Sequence, residues 1–174
     1  MATEQQIESA KEVLAYYTLL ATGTGAVPIP AASGAIIAQN GIMFGHLASA
    51  LGAEISFRSI VESIGIAGSL NIAGRTFFIE GAKLFSWGTG SVWALAALSA
   101  LGATTAGVQT YVLGRIAIEV GKNDGQALVP TATAKIVEQA KKGYDAFVLE
   151  WKEKKPKQPP GPKKKPKAPP ASAA

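Results

Sequence analysis

Few residues in this chain have the chemistry that catalysis or metal binding needs. The sequence contains no cysteine and one histidine, His46. Thiol catalysis and thiolate metal sites are therefore excluded, and a histidine cluster within one chain is impossible. His46 has Ile42 and Met43 near it at helical spacing, and no carboxylate there that could orient it as a general base. We expect a packed or interface-facing side chain; the alternative is a catalytic base.

A second candidate is the glycine-rich stretch Gly23-Thr24-Gly25, which lies just before Pro28. A phosphate-binding loop follows a strand and continues into a Gly-Lys-Ser/Thr sequence. Here no strand pattern precedes the glycines and no lysine is near, so we interpret them as a turn that ends a helix. The rest of the chain shows no Ser-His-Asp arrangement and no paired carboxylates. We predict that the protein is not an enzyme and has no cofactor or metal site.

Lysine is concentrated at the C-terminal end. Residues 152–174 contain eight lysines and one glutamate, whereas residues 1–151 contain nine basic and eleven acidic residues. Such a cluster binds anionic lipid headgroups or nucleic-acid phosphates, or it is a solvated spacer. Nucleic acid is the less expected partner, because no aromatic residue that could stack on bases follows Trp151. The predicted anion-contacting residues are Lys154, Lys155, Lys157, Lys163, Lys164, Lys165 and Lys167.

The elements that carry these residues have helical patterns. Thr3-Glu4-Gln5-Gln6 forms a capping box, and apolar residues then recur at steps of three and four. A last helix is predicted over about 133–152. We predict an all-α fold of Gly- and Ala-rich helical hairpins, with one domain over 1–151. Residues 152–174 hold seven of the ten prolines and cannot pack a core, so we predict a disordered basic tail.

Two long runs contain no charged residue: Val13–Ala53, with 41 residues, and Leu84–Gly114, with 31. Pro28 and Pro30 disfavour a continuous helix through the first run, so a second helix is predicted over about 31–53. At ~1.5 Å per residue, this helix and the second run could cross the ~30 Å hydrocarbon core of a bilayer.

These runs predict a membrane-associated bundle with two spanning or membrane-inserting helices, over about 31–53 and 84–114. Two crossings place both termini on one side, and the lysine tail places that side in the cytoplasm. The alternative is a soluble helical bundle that binds a protein partner. It arises because the runs are rich in Ala and Gly rather than Leu, and the mean hydropathy of the chain is +0.20.

Small residues form a stripe on the second predicted helix. The stripe consists of Gly34, Ala38, Gly41, Gly45, Ser49 and Gly52. Stripes of this kind let two helix backbones approach closely. Each glycine inside a helix costs up to about 1 kcal/mol relative to alanine, which close packing can offset. We predict helix packing along this stripe, within one chain or between chains; the alternative is a glycine-lined ligand groove.

The segments VPIPAASGAIIAQNGIMFGHLASALG and TYVLGRIAIEV resemble a bacterial family, the YcjF-like domain of unknown function. The family pattern is matched by Pro28, Pro30, Gln39, Thr110, Tyr111 and Gly114. The likeness covers roughly residues 13–122. It departs from the family at Ala32 and Ser33, where many members have an aspartate. The resemblance implies an all-helical, membrane-associated module that works beside an Era/septin-like GTPase domain, and it supplies no catalytic residue.

The expected function is therefore that of a non-enzymatic helical module at the cytoplasmic membrane. It would self-associate or dock a partner, such as an Era/septin-like GTPase, and its other partner would be membrane lipid. The alternative is a soluble helical bundle that acts as a protein-interaction module.

Overall fold

The computed structural model of the protein describes residues 2–26, 32–56, 58–60, 62–63 and 92–160, with the backbone alone described at 32–33 and 92–102. Four long helices form: α1 (Glu4–Gly25), α2 (Ala32–Leu51), α3 (Val92–Lys122) and α4 (Pro130–Lys154). No strand occurs in these residues. The predicted all-α fold class is confirmed.

Helix α1 begins at the predicted capping box. The amide of Gln6 donates to the Thr3 hydroxyl at 3.3 Å, and the amide of Thr3 donates to the Gln6 side chain at 2.7 Å. Two backbone donors that a helix start leaves unpaired are thus satisfied. The helix ends at Gly25, in the predicted region. Pro28 and Pro30, which we expected to separate the first two helices, lie outside the described residues.

Helix α2 ends in a left-handed turn at Gly52, whose φ is +63°. The amide of Ala53 donates to the carbonyl of Ala48 at 3.1 Å, and the amide of Gly52 donates to that of Ser49 at 3.4 Å. This pair of bonds is the Schellman motif, in which glycine avoids the strain of a positive φ. Gly52, the last member of the predicted stripe, therefore ends the helix rather than lying on its packing face.

Helices α1 and α3 form the centre of the bundle, because each of them contacts the other three helices. α1 is antiparallel to α3, since Thr22 lies beside Gly107 and Leu14 beside Gly114. Both helices pack on α2, and both contact α4. Their shared core is apolar, and its fully buried large side chains include Leu14, Met43, Leu47, Ile116 and Val120.

In the described part of the chain, no helix combines the length and the apolar character that crossing a bilayer requires. The first predicted span, 31–53, is helical as α2, but Gln39, Asn40 and His46 within it lower its apolar character. The second, 84–114, overlaps the first part of α3, and residues 84–91 lie outside the described residues. The prediction of two membrane-spanning helices is therefore unsupported.

The predicted boundary between domain and tail, at 151/152, falls inside α4, which continues to Lys154. Lys155 then takes a left-handed conformation (φ 50°, ψ 76°), and residues 155–160 are neither helix nor strand. The amide of Lys157 donates to Glu12 Oε1 at 3.2 Å, so this first part of the tail lies against α1. Residues 161–174, which carry most of the predicted tail, lie outside the described residues.

Candidate interaction surface

The Thr-Tyr-x-x-Gly sequence of α3 is the point at which all four helices meet. Successive residues of a helix point about 100° apart, so Tyr111 is turned away from Thr110, whereas Gly114 lies one turn beyond Thr110 on nearly the same side. Thr110 bonds a side chain of α2, Tyr111 stacks on aromatic rings of α4, and Gly114 receives a side chain of α1. The structure thus gives these three residues, which were singled out by family resemblance, a packing role.

Three glycines of α3 lie seven residues apart and make room for neighbouring side chains: Gly107, Gly114 and Gly121. A Cβ atom at Gly114 would overlap Leu14 Cδ1, and one at Gly107 would overlap the hydroxyls of Tyr144 and Thr22. At Gly121 a Cβ atom would lie 2.7 Å from Leu51 Cδ1. We missed this stripe in the sequence, although its seven-residue spacing is the signal that would have revealed it.

Two polar side-chain pairs join α1 to α2. The Tyr17 hydroxyl lies 2.8 Å from Nδ1 of His46, and the Gln39 side chain donates to the Thr24 hydroxyl at 2.8 Å. The two pairs are seven residues apart on each helix, which shows that α1 and α2 run antiparallel. Burial lowers the pKa of His46 and is the main cause that raises the pKa of Tyr17. His46, our only histidine candidate for catalysis, thus lies packed in a helix interface.

One polar pair lies deep in the core. The Thr110 hydroxyl donates to Asn40 Oδ1 at 3.0 Å, and both side chains are buried. Polar residues of an uncharged helix need partners on other helices when they leave water. Gln39, Asn40 and His46 all have such partners, so the inner side of α2 holds the polar residues of its uncharged run.

The opposite side of α2 is uncharged and exposed, and we call it the outer α2 face. It consists of Gly34, Ala35, Ile37, Ala38, Gly41, Ile42, Gly45 and Ser49. Ile37 is 68% exposed and Ile42 is 52% exposed. A Cβ atom added at Gly34, Gly41 or Gly45 would meet no atom of the described chain within 4 Å. Most of the predicted small-residue stripe therefore points outward rather than against another helix of the bundle.

The described lysines at the start of the tail differ in their contacts with neighbouring side chains. Lys154 Nζ lies 2.6 Å from a Glu150 carboxylate oxygen and 4.8 Å from the centroid of the Trp151 ring. The hydrogen bond with Glu150 is the main cause that raises the pKa of Lys154. Lys155 and Lys157 are exposed. The other four predicted anion-contacting lysines lie outside the described residues.

These described residues offer two surfaces for binding: the uncharged outer α2 face and the cationic start of the tail. Neither contains an arrangement of side chains from which a reaction could be derived. Comparisons with protein-family models, curated proteins and solved structures find no match for the chain.

Proposed function

We propose that the protein is a non-enzymatic helical module that self-associates through the outer α2 face at the cytoplasmic surface of the membrane. The outer α2 face is the observation that carries this proposal. A helix at the surface of a water-soluble bundle usually presents charged and polar residues on the side opposite the core. α2 instead presents glycine, alanine and isoleucine there.

The glycines of this face are costly unless something packs on them. Gly34, Gly41 and Gly45 each lower helix stability by up to about 1 kcal/mol relative to alanine. No atom of the described residues lies where their side chains would be, so no contact among these residues requires glycine at these positions. A second helix could approach the backbone closely at all three, with Ile37 and Ile42 packing on either side.

A second copy of the chain fits this face because the surface is self-complementary. In a two-fold dimer the same patch is used by both subunits, and the flat glycine stripe of one α2 receives the isoleucines of the other. Fully burying an exposed isoleucine side chain contributes roughly 1.5–3 kcal/mol. Ile37 and Ile42 are already partly covered, so each contributes less than this, and a symmetric pair buries the remaining surface of four. No charged residue lies on the face to oppose this contact.

Replacing Ile42 by glutamate tests the face directly. We expect Ile42→Glu to raise the dissociation constant for self-association at least about tenfold, because association would bury an unpaired carboxylate from each subunit. Leu149→Glu is the matched control, because Leu149 is 65% exposed on α4, away from the outer α2 face. Sedimentation equilibrium over a range of concentrations, in buffer and in mild detergent, measures both variants against the original protein.

Disulfide formation gives an independent readout, since the chain has no cysteine. On mild oxidation, Ile42→Cys should form a covalent dimer faster than Leu149→Cys does. A protein that stays monomeric at every concentration, in buffer and in detergent, would refute the proposal. Equal effects at Ile42 and Leu149 would place any association elsewhere on the molecule.

An Era/septin-like GTPase is the other proposed occupant of the outer α2 face, and it is supported by the family resemblance alone. If the partner is such a protein, Ile42→Glu should abolish its capture while the purified chain stays monomeric. Leu149→Glu should leave the capture unchanged.

The membrane part of the proposal is supported by the lysine tail. Near an anionic surface each lysine contributes on the order of 1 kcal/mol before screening by salt. Replacing Lys163, Lys164, Lys165 and Lys167 by glutamine keeps the tail length and removes four charges. We expect this variant to bind phosphatidylserine-containing vesicles at least about tenfold more weakly at low salt. Vesicle sedimentation measures the change.

Screening provides the control for this experiment. At high ionic strength the Debye length falls to about 3 Å, and the difference between the variant and the original protein should disappear. Vesicles of neutral phosphatidylcholine should bind the two proteins equally. Unchanged binding to anionic vesicles at low salt would make the tail a solvated spacer.

A further inference from the structure

His46 occupies a site that favours neutral imidazole over imidazolium. The residue is 7% exposed, and Nδ1 lies 2.8 Å from the Tyr17 hydroxyl. Its other ring nitrogen, Nε2, is buried and has no hydrogen-bond partner among the described residues. Neutral imidazole has one donor and one acceptor nitrogen, so a single hydrogen bond leaves it only partly satisfied.

Protonation would change both nitrogens into donors and add a charge. The Tyr17 oxygen could accept from Nδ1–H, but Nε2–H would remain unpartnered, and a buried charge without a counterion is strongly disfavoured. In the described part of the chain no carboxylate compensates it, and burial is the cause that lowers the pKa of His46.

Among the described residues, the groups packed around this site provide no counterion. α2 has no other ionisable residue. On α1, Tyr17 faces His46. The Tyr16 ring lies edge-on to the Tyr17 ring, with the two ring centroids 5.2 Å apart. The charged residues in the described side chains of α3 are engaged elsewhere, since Arg115 donates to the Tyr111 hydroxyl and Glu119 pairs with Lys122. α4 does not contact α2.

We propose that His46, buried against Tyr17, is an acid-sensitive latch between α1 and α2, which holds the two helices together while the imidazole is neutral and releases them when it is protonated. The latch is a property of the bundle itself and does not depend on self-association. It lies on the inner side of α2, so its release would separate α2 from α1.

The direction of the pH dependence follows from linkage. A folded state that lowers the pKa of a histidine binds fewer protons than the open state. The stabilising contribution is therefore fully present above the ordinary histidine pKa of about 6.5, and it is lost progressively as the pH falls below that value. One group can change the opening equilibrium by at most about tenfold per pH unit.

The single histidine allows a direct measurement on the original protein, because its imidazole Cε1–H proton gives one NMR signal. We expect this signal to titrate below the value of a free histidine. In parallel, urea unfolding should show a lower midpoint at pH 5.5 than at pH 7.5. Between pH 7.5 and 5.5, amide hydrogen exchange, corrected for its intrinsic pH dependence, should accelerate more in α1 and α2 than in α4.

Variants separate the latch from general acid effects. His46→Asn, and His46→Gln as a second choice if the first folds poorly, should have unfolding midpoints that do not differ between pH 7.5 and 5.5. Tyr17→Phe should lower the midpoint at pH 7.5 but keep the acid dependence, because the buried imidazole remains. The proposal is overturned by an imidazole signal that titrates as in a free histidine, by an unchanged acid dependence in both His46 variants, or by exchange that rises equally in all helices.

Discussion

Alanine at Gly114 is expected to destabilise the protein by about 1–3 kcal/mol, the usual cost of an added methyl group in a filled core. The new Cβ atom would overlap Leu14 Cδ1, and Leu14 is fully buried, so it has no free space into which to move. Gly107→Ala should have a similar effect, because its Cβ atom would displace the hydroxyls of Tyr144 and Thr22. Urea unfolding measures both changes.

The same substitution on the outer α2 face provides the matched control. Within the part of the chain that the structure describes, a Cβ atom at Gly41 would meet nothing within 4 Å. Gly41→Ala should therefore stabilise the isolated chain by up to about 1 kcal/mol, through helix propensity alone. Stability changes of opposite sign at Gly114 and Gly41 would establish that neighbouring side chains of the bundle pack against Gly114 and not against Gly41. A loss of stability at Gly41 as large as that at Gly114 would show that the outer α2 face is covered in the protein.

The second large effect concerns the buried pair of Asn40 and Thr110. Thr110→Val keeps the shape of the side chain but removes the donor, so Asn40 Oδ1 loses its 3.0 Å hydrogen bond in the core. An unsatisfied buried group of this kind costs about 1–3 kcal/mol. Asn40→Leu should cost less, because the Thr110 hydroxyl can turn to the backbone carbonyl one turn earlier in α3.

A double-mutant cycle separates the hydrogen bond from packing. The double variant, Thr110→Val with Asn40→Leu, replaces both partners by apolar groups and should be more stable than Thr110→Val alone. The expected coupling energy is about 0.5–3 kcal/mol, from urea unfolding of the four proteins with equal m-values. Additive losses would mean that the two side chains do not act as a pair.

Those parts of the fold that depend on neighbouring residues could be predicted from the sequence. The start of α1 follows from Thr3 and Gln6, whose bonds span a single turn. The existence of α2 and of α4 follows from their patterns, although α4 begins at Pro130 and ends at Lys154, beyond both predicted limits. Proline is favourable at the first turn of a helix, which is why α4 begins before the predicted start at about 133.

Which helix packs on each helix face could not be predicted, because this depends on the register between helices. The pairing of Tyr17 with His46 requires α1 and α2 to be antiparallel with a particular offset, which no single residue encodes. The stripe of Gly34, Gly41 and Gly45 indicates close packing, but its spacing does not tell whether a helix of the same chain fills it. The stripe at Gly107, Gly114 and Gly121 has similar spacing and is filled.

The uncharged runs do not by themselves decide between two environments. An absence of charge over 41 residues indicates removal from water, and a bilayer is one way to achieve it. In α2 the polar residues of the run are paired on the inner side, while the outer side is apolar. The absence of charge does not tell which side of the helix carries its polar residues, nor whether lipid or protein surrounds it.

The contact between Leu14 and Gly114 also has a consequence for synthesis. α1 leaves the ribosome before α3, so the Leu14 side chain cannot pack against Gly114 until residue 114 has been translated. At about 5–20 residues per second, the nascent α1 and α2 wait for roughly 5–20 s with their apolar sides exposed. During this interval the growing chain is a substrate for ribosome-bound chaperones, and a slower-translated messenger RNA between these positions should lower the yield of folded protein.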